Sequence, residues 1–240
     1  MFSLFINKLL KKPMKVVILQ PSYIPWRGYF DQINQADLFI FYDDVQYDKH
    51  GWRNRNQIKT SQGKQWLTIP VHSKGVCEGL PINDVRIDWT KSWSKKHLNA
   101  LTYAYSKAPF WKKHQPWIKE IYERKDQLLA DFTIDTTIKL ATKLGITNTK
   151  FMRSSEINHI NGKKTDRLLN ILEKVNATHY ISGPSAQEYI EKEKFIQAGI
   201  PIEYIDYQYA EYSQLHGEFE SNITALDLLL MTGNNAKSYF

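Results

Sequence analysis

The sequence predicts an α/β protein built on a Rossmann-like parallel sheet, and three observations predict it. The chain opens with a strand, loop, helix, strand pattern, in which the apolar runs VVIL and LFIF flank the helical stretch YFDQINQ. A second alternation comes late, with THYISG, SAQEYIEKEKFIQAG and IPIEYID reading as strand, helix and strand. No internal repeat and no low-complexity linker separates the two, so both belong to one folding unit.

Taken in order, VVIL is a buried strand bounded by Gln20 and Pro21, and a turn through Trp26 and Gly28 leads into a helix over Tyr29–Gln35. DLFIFYDD, rich in β-formers, is the second strand. Between about Trp52 and Asp88 the short runs KQWLTIPV and INDVRID, separated by Gly- and Asn-containing turns, predict a β insertion. Lys91 to Leu144 is helical in pattern, with breaks permitted near Pro109 and Pro116. TNTKFM reads as a strand, and DRLLNILEKVN as an amphipathic helix whose apolar positions are Leu168, Leu169, Ile171, Leu172 and Val175. The next helix stops at Gly199. Residues 1–13 are expected to be an N-terminal extension and 14–240 a single domain. In the extension the apolar residues precede Lys11 and Lys12, the reverse of a secretory signal, and Met14 is an equally good start.

Composition narrows the function classes. A chain of 240 residues with 42% hydrophobic and 24% charged residues can bury a core without disulfides or a structural metal. The lone Cys77 excludes an internal disulfide framework and a cysteine-type zinc site, which fits a reducing cytoplasm. No run of about 18 apolar residues is present, so no transmembrane span is expected. The net charge of +7 favours anionic partners. Nucleotides, nucleotide sugars, nucleic acid and an acidic membrane face all fit that field, and charge alone does not choose among them; nucleic acid is disfavoured because the basic residues are scattered and no RNA-binding motif occurs.

Candidate site residues follow from the rule that open parallel sheets bind ligands at the carboxyl ends of their strands. The rule nominates Gln20 and Tyr23 after the first strand, Asp43 and Asp44 after the second, and Ser182 and Gly183 after a later one. In QPSYIPWRGYF the prolines hold the loop extended, Gly28 permits close approach, and Trp26 or Tyr23 offers a ring for stacking. Asp43 and Asp44 are carboxylates able to bind Mg²⁺, act as a base or grip hydroxyls. In WRNRNQIK, alternation puts Arg53 and Arg55 on one face as anion-binding forks, and Asn54 adds a mixed donor and acceptor. His216, beside Gly217, is a candidate general base. HExxH, GxSxG, GxxxxGK[ST] and GxGxxG are all absent, which disfavours zinc hydrolases, α/β-hydrolases, Walker-type ATPases and standard dinucleotide folds.

With these residues in view, the sequence resembles the WbqC-like family through ILQPSYIPWRGYFDQINQADLFIFYDDVQYDKHGWRNRNQIKT, WLTIPV, THYISG, YSQLHGEF and LDLLL. The resemblance implies a cytoplasmic transferase of O-antigen or other surface-polysaccharide biosynthesis, acting by acyl or aminoacyl transfer to the amine of a nucleotide-linked amino sugar. On that reading Arg53 and Arg55 hold the diphosphate, Tyr23 and Trp26 flank the base or sugar, and Asp43 or His216 takes the amine proton. The acyl donor is open, with ATP and Mg²⁺ among the cofactors allowed. A second similarity, to the HxGH loop of nucleotidylyltransferases and class I tRNA synthetases, lies in WRGY, and FMRSSEI resembles their second phosphate-binding motif. Trp26 and Tyr29 stand where the two histidines would be. That loss supports an alternative, a non-catalytic nucleotide- or glycan-binding module on a degenerate fold.

Overall fold

A computed structural model describes residues 13–72 and 78–240, so most of the N-terminal extension, and Cys77, lie outside the described residues. Five strands, β1 (Lys15–Leu19), β2 (Leu38–Phe41), β5 (Lys150–Arg153), β6 (His179–Ser182) and β7 (Ile202–Tyr204), form one sheet in the order β5-β2-β1-β6-β7. Every neighbouring pair in it is parallel. The chain first builds outward from β1 on one side, then crosses to β6 on the other. The carboxyl ends of β1 and β6 therefore flank the point where the winding reverses.

Sheet burial explains why the strands read as continuous apolar runs rather than alternating ones. Val16, Ile18, Leu38 and Ile40 face a core shared with Leu168, Leu172 and Phe195. Val17, Phe39 and Phe41 point the other way, into a larger core that includes Phe30, Ile33 and Phe132. Both faces are covered, by α1 (Arg27–Gln35) and α4 (Leu129–Lys143) on the larger-core side and by α5 (Lys164–Lys174) and α6 (Lys192–Ala198) on the other.

The β insertion is smaller than its sequence suggests. Only β3 (Arg55–Thr60) and β4 (Gly63–Thr68) pair, as an antiparallel hairpin forming a separate sheet. INDVRID is not a strand: Ile82–Asp84, following Pro81, is a 3₁₀ turn, and the rest makes only isolated bridges at Val71–Ile87 and Arg86–Leu128. The helical region holds α2 (Trp93–Tyr105), α3 (Trp111–Glu123) and α4. Pro109 falls between helices, whereas Pro116 is carried inside α3. It is tolerated because Pro116 and Lys112, whose carbonyl loses its partner, are both on the exposed side of the helix.

The stretch SAQEYIEKEKFIQAG is also divided, into a 3₁₀ segment Pro184–Glu188 and α6. Ala186, Ile190 and Phe195 all reach the same core. At about 100° per residue, one unbroken helix would put Phe195 opposite Ala186, so a break between them is required. Gly199 ends α6 in the left-handed region, at φ 65°. After β7 an irregular segment runs to Thr224, whose hydroxyl accepts from Leu226 N–H and starts α7 (Ala225–Thr232). Among the described residues no helix is long and apolar enough to cross a membrane.

Candidate functional site

A pocket of about 460 Å³ opens at the carboxyl end of β1, within the size range of small-ligand sites. Leu19, Gln20 and Ser22 supply one wall and Trp26, Tyr29 and Gln32 of the α1 region another. Trp52 and Arg53 enter from the run leading into β3, Asn56 from β3 itself, and Asn222 from the segment before α7. Three stretches distant in sequence thus converge where the sheet winding reverses.

Backbone chemistry holds this convergence. Asn56, 3% exposed, donates from Nδ2 to the carbonyls of Tyr23 (3.1 Å) and Ile24 (2.8 Å), while its Oδ1 accepts from Gln57 N–H (2.7 Å). Ile24 has φ 37°, an unfavourable value for a β-branched residue. The amide of Asn56 is therefore a clamp on a strained loop. Tyr23 N–H donates to Trp52 carbonyl (3.1 Å), and Ala225 N–H to Pro25 carbonyl (2.8 Å), which ties the same loop to the hairpin and to α7.

Arg53 is the charged group of the pocket. Among the described residues it makes no ion pair, and its Nε is buried with no hydrogen-bond partner. Burial lowers its pKa, an effect opposed by Tyr29, Asp48 and Tyr47 nearby. Burial likewise raises Tyr29 well above a normal phenol, and the Arg53 charge pulls it back. Tyr29 stays neutral and donates to Gln20 carbonyl at 3.1 Å. A partly desolvated guanidinium beside uncharged donors attracts an anion more strongly than a fully solvated one. Gln20, Gln32 and Asn222 line the same pocket with amides suited to hydroxyls, while the Asn56 amide is already engaged with the backbone.

The profile of the WbqC-like protein family matches residues 20–239. The chain belongs to this family. A relative, the uncharacterized protein Rv1507c of Mycobacterium tuberculosis, is 42% identical over 227 residues, covering 94% of this chain and 96% of the relative. No solved structure matches. The pocket of this WbqC-like chain is built almost wholly from residues inside the matched span.

Of the residues nominated from sequence, Gln20, Trp26 and Arg53 line the pocket. Gly28 lies beneath the Trp26 ring: a Cβ there would meet Trp26 Cζ2 at 2.4 Å, so the close approach it permits is that of the indole. Tyr23 does not flank the cavity. It is wholly buried, its hydroxyl 2.9 Å from His97 Nδ1 and 2.5 Å from Tyr122 Oη. Asn54 is also buried, donating to Ile69 carbonyl at 2.8 Å to start the hairpin. Arg55 sits outside the pocket, over the ring of Trp66. Ser182 and Gly183 end β6 behind Tyr207, whose hydroxyl would lie 2.8 Å from a Cβ on Gly183 and accepts from Gln32 Nε2 at 2.7 Å.

The proposed proton acceptors are elsewhere. Asp43 Oδ1 accepts from Ser155 N–H (3.1 Å), and its Oδ2 accepts from Ser155 Oγ (2.9 Å) and pairs with Arg153 Nε (2.9 Å). Asp44 accepts from Ser154 Oγ (2.6 Å) and pairs with Arg167 (2.5 Å). Both carboxylates are engaged in joining β2 to the turn after β5. His216 lies beside another cavity with Leu215 and Tyr103, its Nε2 2.8 Å from Ala104 carbonyl. Lys59 anchors that stretch through Gln214 Oε1 (3.1 Å) and the carbonyls of Gly217 (3.2 Å) and Glu218. Among the described residues no three His, Cys, Asp or Glu side chains converge as a metal-ligand group.

Sequence reasoning passed over Ser22, Gln32 and Asn222. Gln32 carries a recoverable signal, since residues 28, 29 and 32 share one helical face. Trp52 stood in the recognised motif, but alternation put it on the face of Asn54. The strand starts only at Arg55, and the bend before it turns both Trp52 and Arg53 toward the pocket.

Proposed function

We propose that this WbqC-like protein binds a nucleotide-linked amino sugar in the β1 pocket and serves cytoplasmic surface-polysaccharide biosynthesis, a role that family membership suggests. Acyl or aminoacyl transfer to the sugar amine is the reaction we assign to it. The observation that carries the binding step is Arg53, a half-buried guanidinium whose Nε is buried without a partner and which makes no ion pair among the described residues, set in a pocket with neutral amides at the sheet's switch point. Phosphate neutralises the guanidinium, and the amides pair with sugar hydroxyls.

A second reading, a binding module without turnover, is favoured by one specific feature. No histidine or carboxylate is among the residues lining the pocket, whereas an attacking amine must lose a proton. The test is a thermal-shift and calorimetric screen of the full chain against UDP- and dTDP-amino sugars, nucleotides and acyl carriers, with and without Mg²⁺. A ligand at about a hundred times its dissociation constant adds about 2.7 kcal/mol of stability. Stabilisation that Arg53→Ala reduces by at least tenfold in affinity supports the site; no shift, or equal affinity in the variant, refutes it. Product formation with an acyl donor then separates the transferase from the module.

A further inference from the structure

Beside the pocket mouth the hairpin carries an aromatic ridge that the fold does not need. Trp52 and Trp66 are 45% and 44% exposed, with ring centroids 5.3 Å apart and planes inclined at 31°. The Arg55 guanidinium lies 4.7 Å from the Trp66 ring centroid and is held there by donating to His50 carbonyl. Large indoles left half in water add little to the core and invite contact, so their placement calls for a ligand. Trp52 belongs to both features: it lines the pocket with Arg53 and packs on Trp66 outside it.

We propose that the Trp52–Trp66 ridge is the nucleobase subsite of the same ligand, with Arg55 adding charge beside the phosphates held at Arg53. This inference rests on the nucleotide-sugar reading above. The division of chemistry favours it: amides and hydroxyls concentrate inside the pocket and suit a polyhydroxylated ring, while the ridge presents flat π-surface and one cation, which suit a planar base. Every base has a π-face, so the ridge gives affinity with little base preference.

The experiment is titration of the full chain with UDP, GDP, pyrophosphate and glucosamine 1-phosphate, followed by calorimetry and tryptophan fluorescence, in wild type, Trp66→Ala, Trp66→Phe and Arg53→Ala. Trp66 is half exposed, so its truncation leaves the core filled, and circular dichroism checks the fold. Trp66→Ala is expected to weaken UDP and GDP by roughly tenfold, Trp66→Phe to restore much of the loss, and both to leave pyrophosphate unchanged. Arg53→Ala weakens every probe. Equal loss of pyrophosphate and nucleotide in Trp66→Ala, or no loss of either, overturns the base subsite while the Arg53 reading stands. Loss confined to glucosamine 1-phosphate assigns the ridge to sugar instead and also overturns it. Failure of the wild type to bind any of the four overturns both.

Discussion

Replacing Asn56 by alanine tests whether the strained loop and the pocket are one mechanical unit. The change deletes two hydrogen bonds to the carbonyls of Tyr23 and Ile24 and one from Gln57 N–H, all at a residue 3% exposed. Each orphaned buried group costs about 1–3 kcal/mol when nothing replaces the partner. Asn56 also lines the pocket, so water can enter the vacated space and reach the carbonyls, which puts the sum toward the low end. Release of the Ile24 backbone from φ 37° recovers part of the remainder. The expected net loss is about 2–3 kcal/mol, which for a chain of this length lowers the melting temperature by roughly 4–12 °C. Urea unfolding followed by far-ultraviolet circular dichroism measures it, and calorimetry with the ligand found in the screen should show at least tenfold weaker binding. A variant within 0.5 kcal/mol of wild type that binds normally would refute the clamp, because the loop would then hold its shape without the amide.

Two further outcomes follow from the buried polar groups. Asp43→Ala removes the acceptor of the Ser155 N–H and hydroxyl and the partner of Arg153, so stability should fall by about 3 kcal/mol while ligand affinity at low temperature is unchanged; denaturation and calorimetry on one sample check both, and loss of binding with stability intact would return Asp43 to the reaction. Burial lowers His97 to about 4, so the folded state prefers the neutral ring. Its contribution is fully present above the ordinary histidine pKa of about 6.5 and is lost as pH falls from there to about 4, on the order of 3 kcal/mol in all. Asp227, raised by burial, acts in the opposite sense, stabilising the fold at low pH and losing that contribution as pH rises. The quantity to measure is thus the difference in slope between wild type and His97→Asn, which should be flatter between pH 6.5 and 4; equal slopes would sink the assignment.

The sheet was legible because its strands are covered on both sides, which leaves short apolar runs that cannot alternate. Val16 to Leu19 and Leu38 to Phe41 show this directly. INDVRID misled because its β-formers are interrupted by Asn83 and Asp84, and turn chemistry outweighed propensity there. The pocket was legible where a strand end or a fork-bearing cation announces itself, as at Gln20 and Arg53. Tyr23 and Asn54 are buried away from the pocket lining, a placement hidden in the sequence because residue type does not say which side of a loop faces inward. Asn222 arrives from a segment without regular structure, so no periodicity could place it.

The similarity of WRGY and FMRSSEI to nucleotidylyltransferase motifs takes on a physical meaning from the end of β2. The backbone and hydroxyl of Ser155, with the Arg153 guanidinium, form a donor set of the kind that binds a phosphate, yet the carboxylate of Asp43 occupies it. The donors a phosphate would use there are thus already taken by this carboxylate. At the end of β1 the balance is reversed: Arg53 has no ion-pair partner among the described residues, and the other residues lining its pocket are neutral. Ion pairing thus fills the donor set at the end of β2 and leaves an unpaired cation at the end of β1. It is on this unpaired cation, and not on the filled donor set of Asp43, that the proposed nucleotide-sugar binding rests.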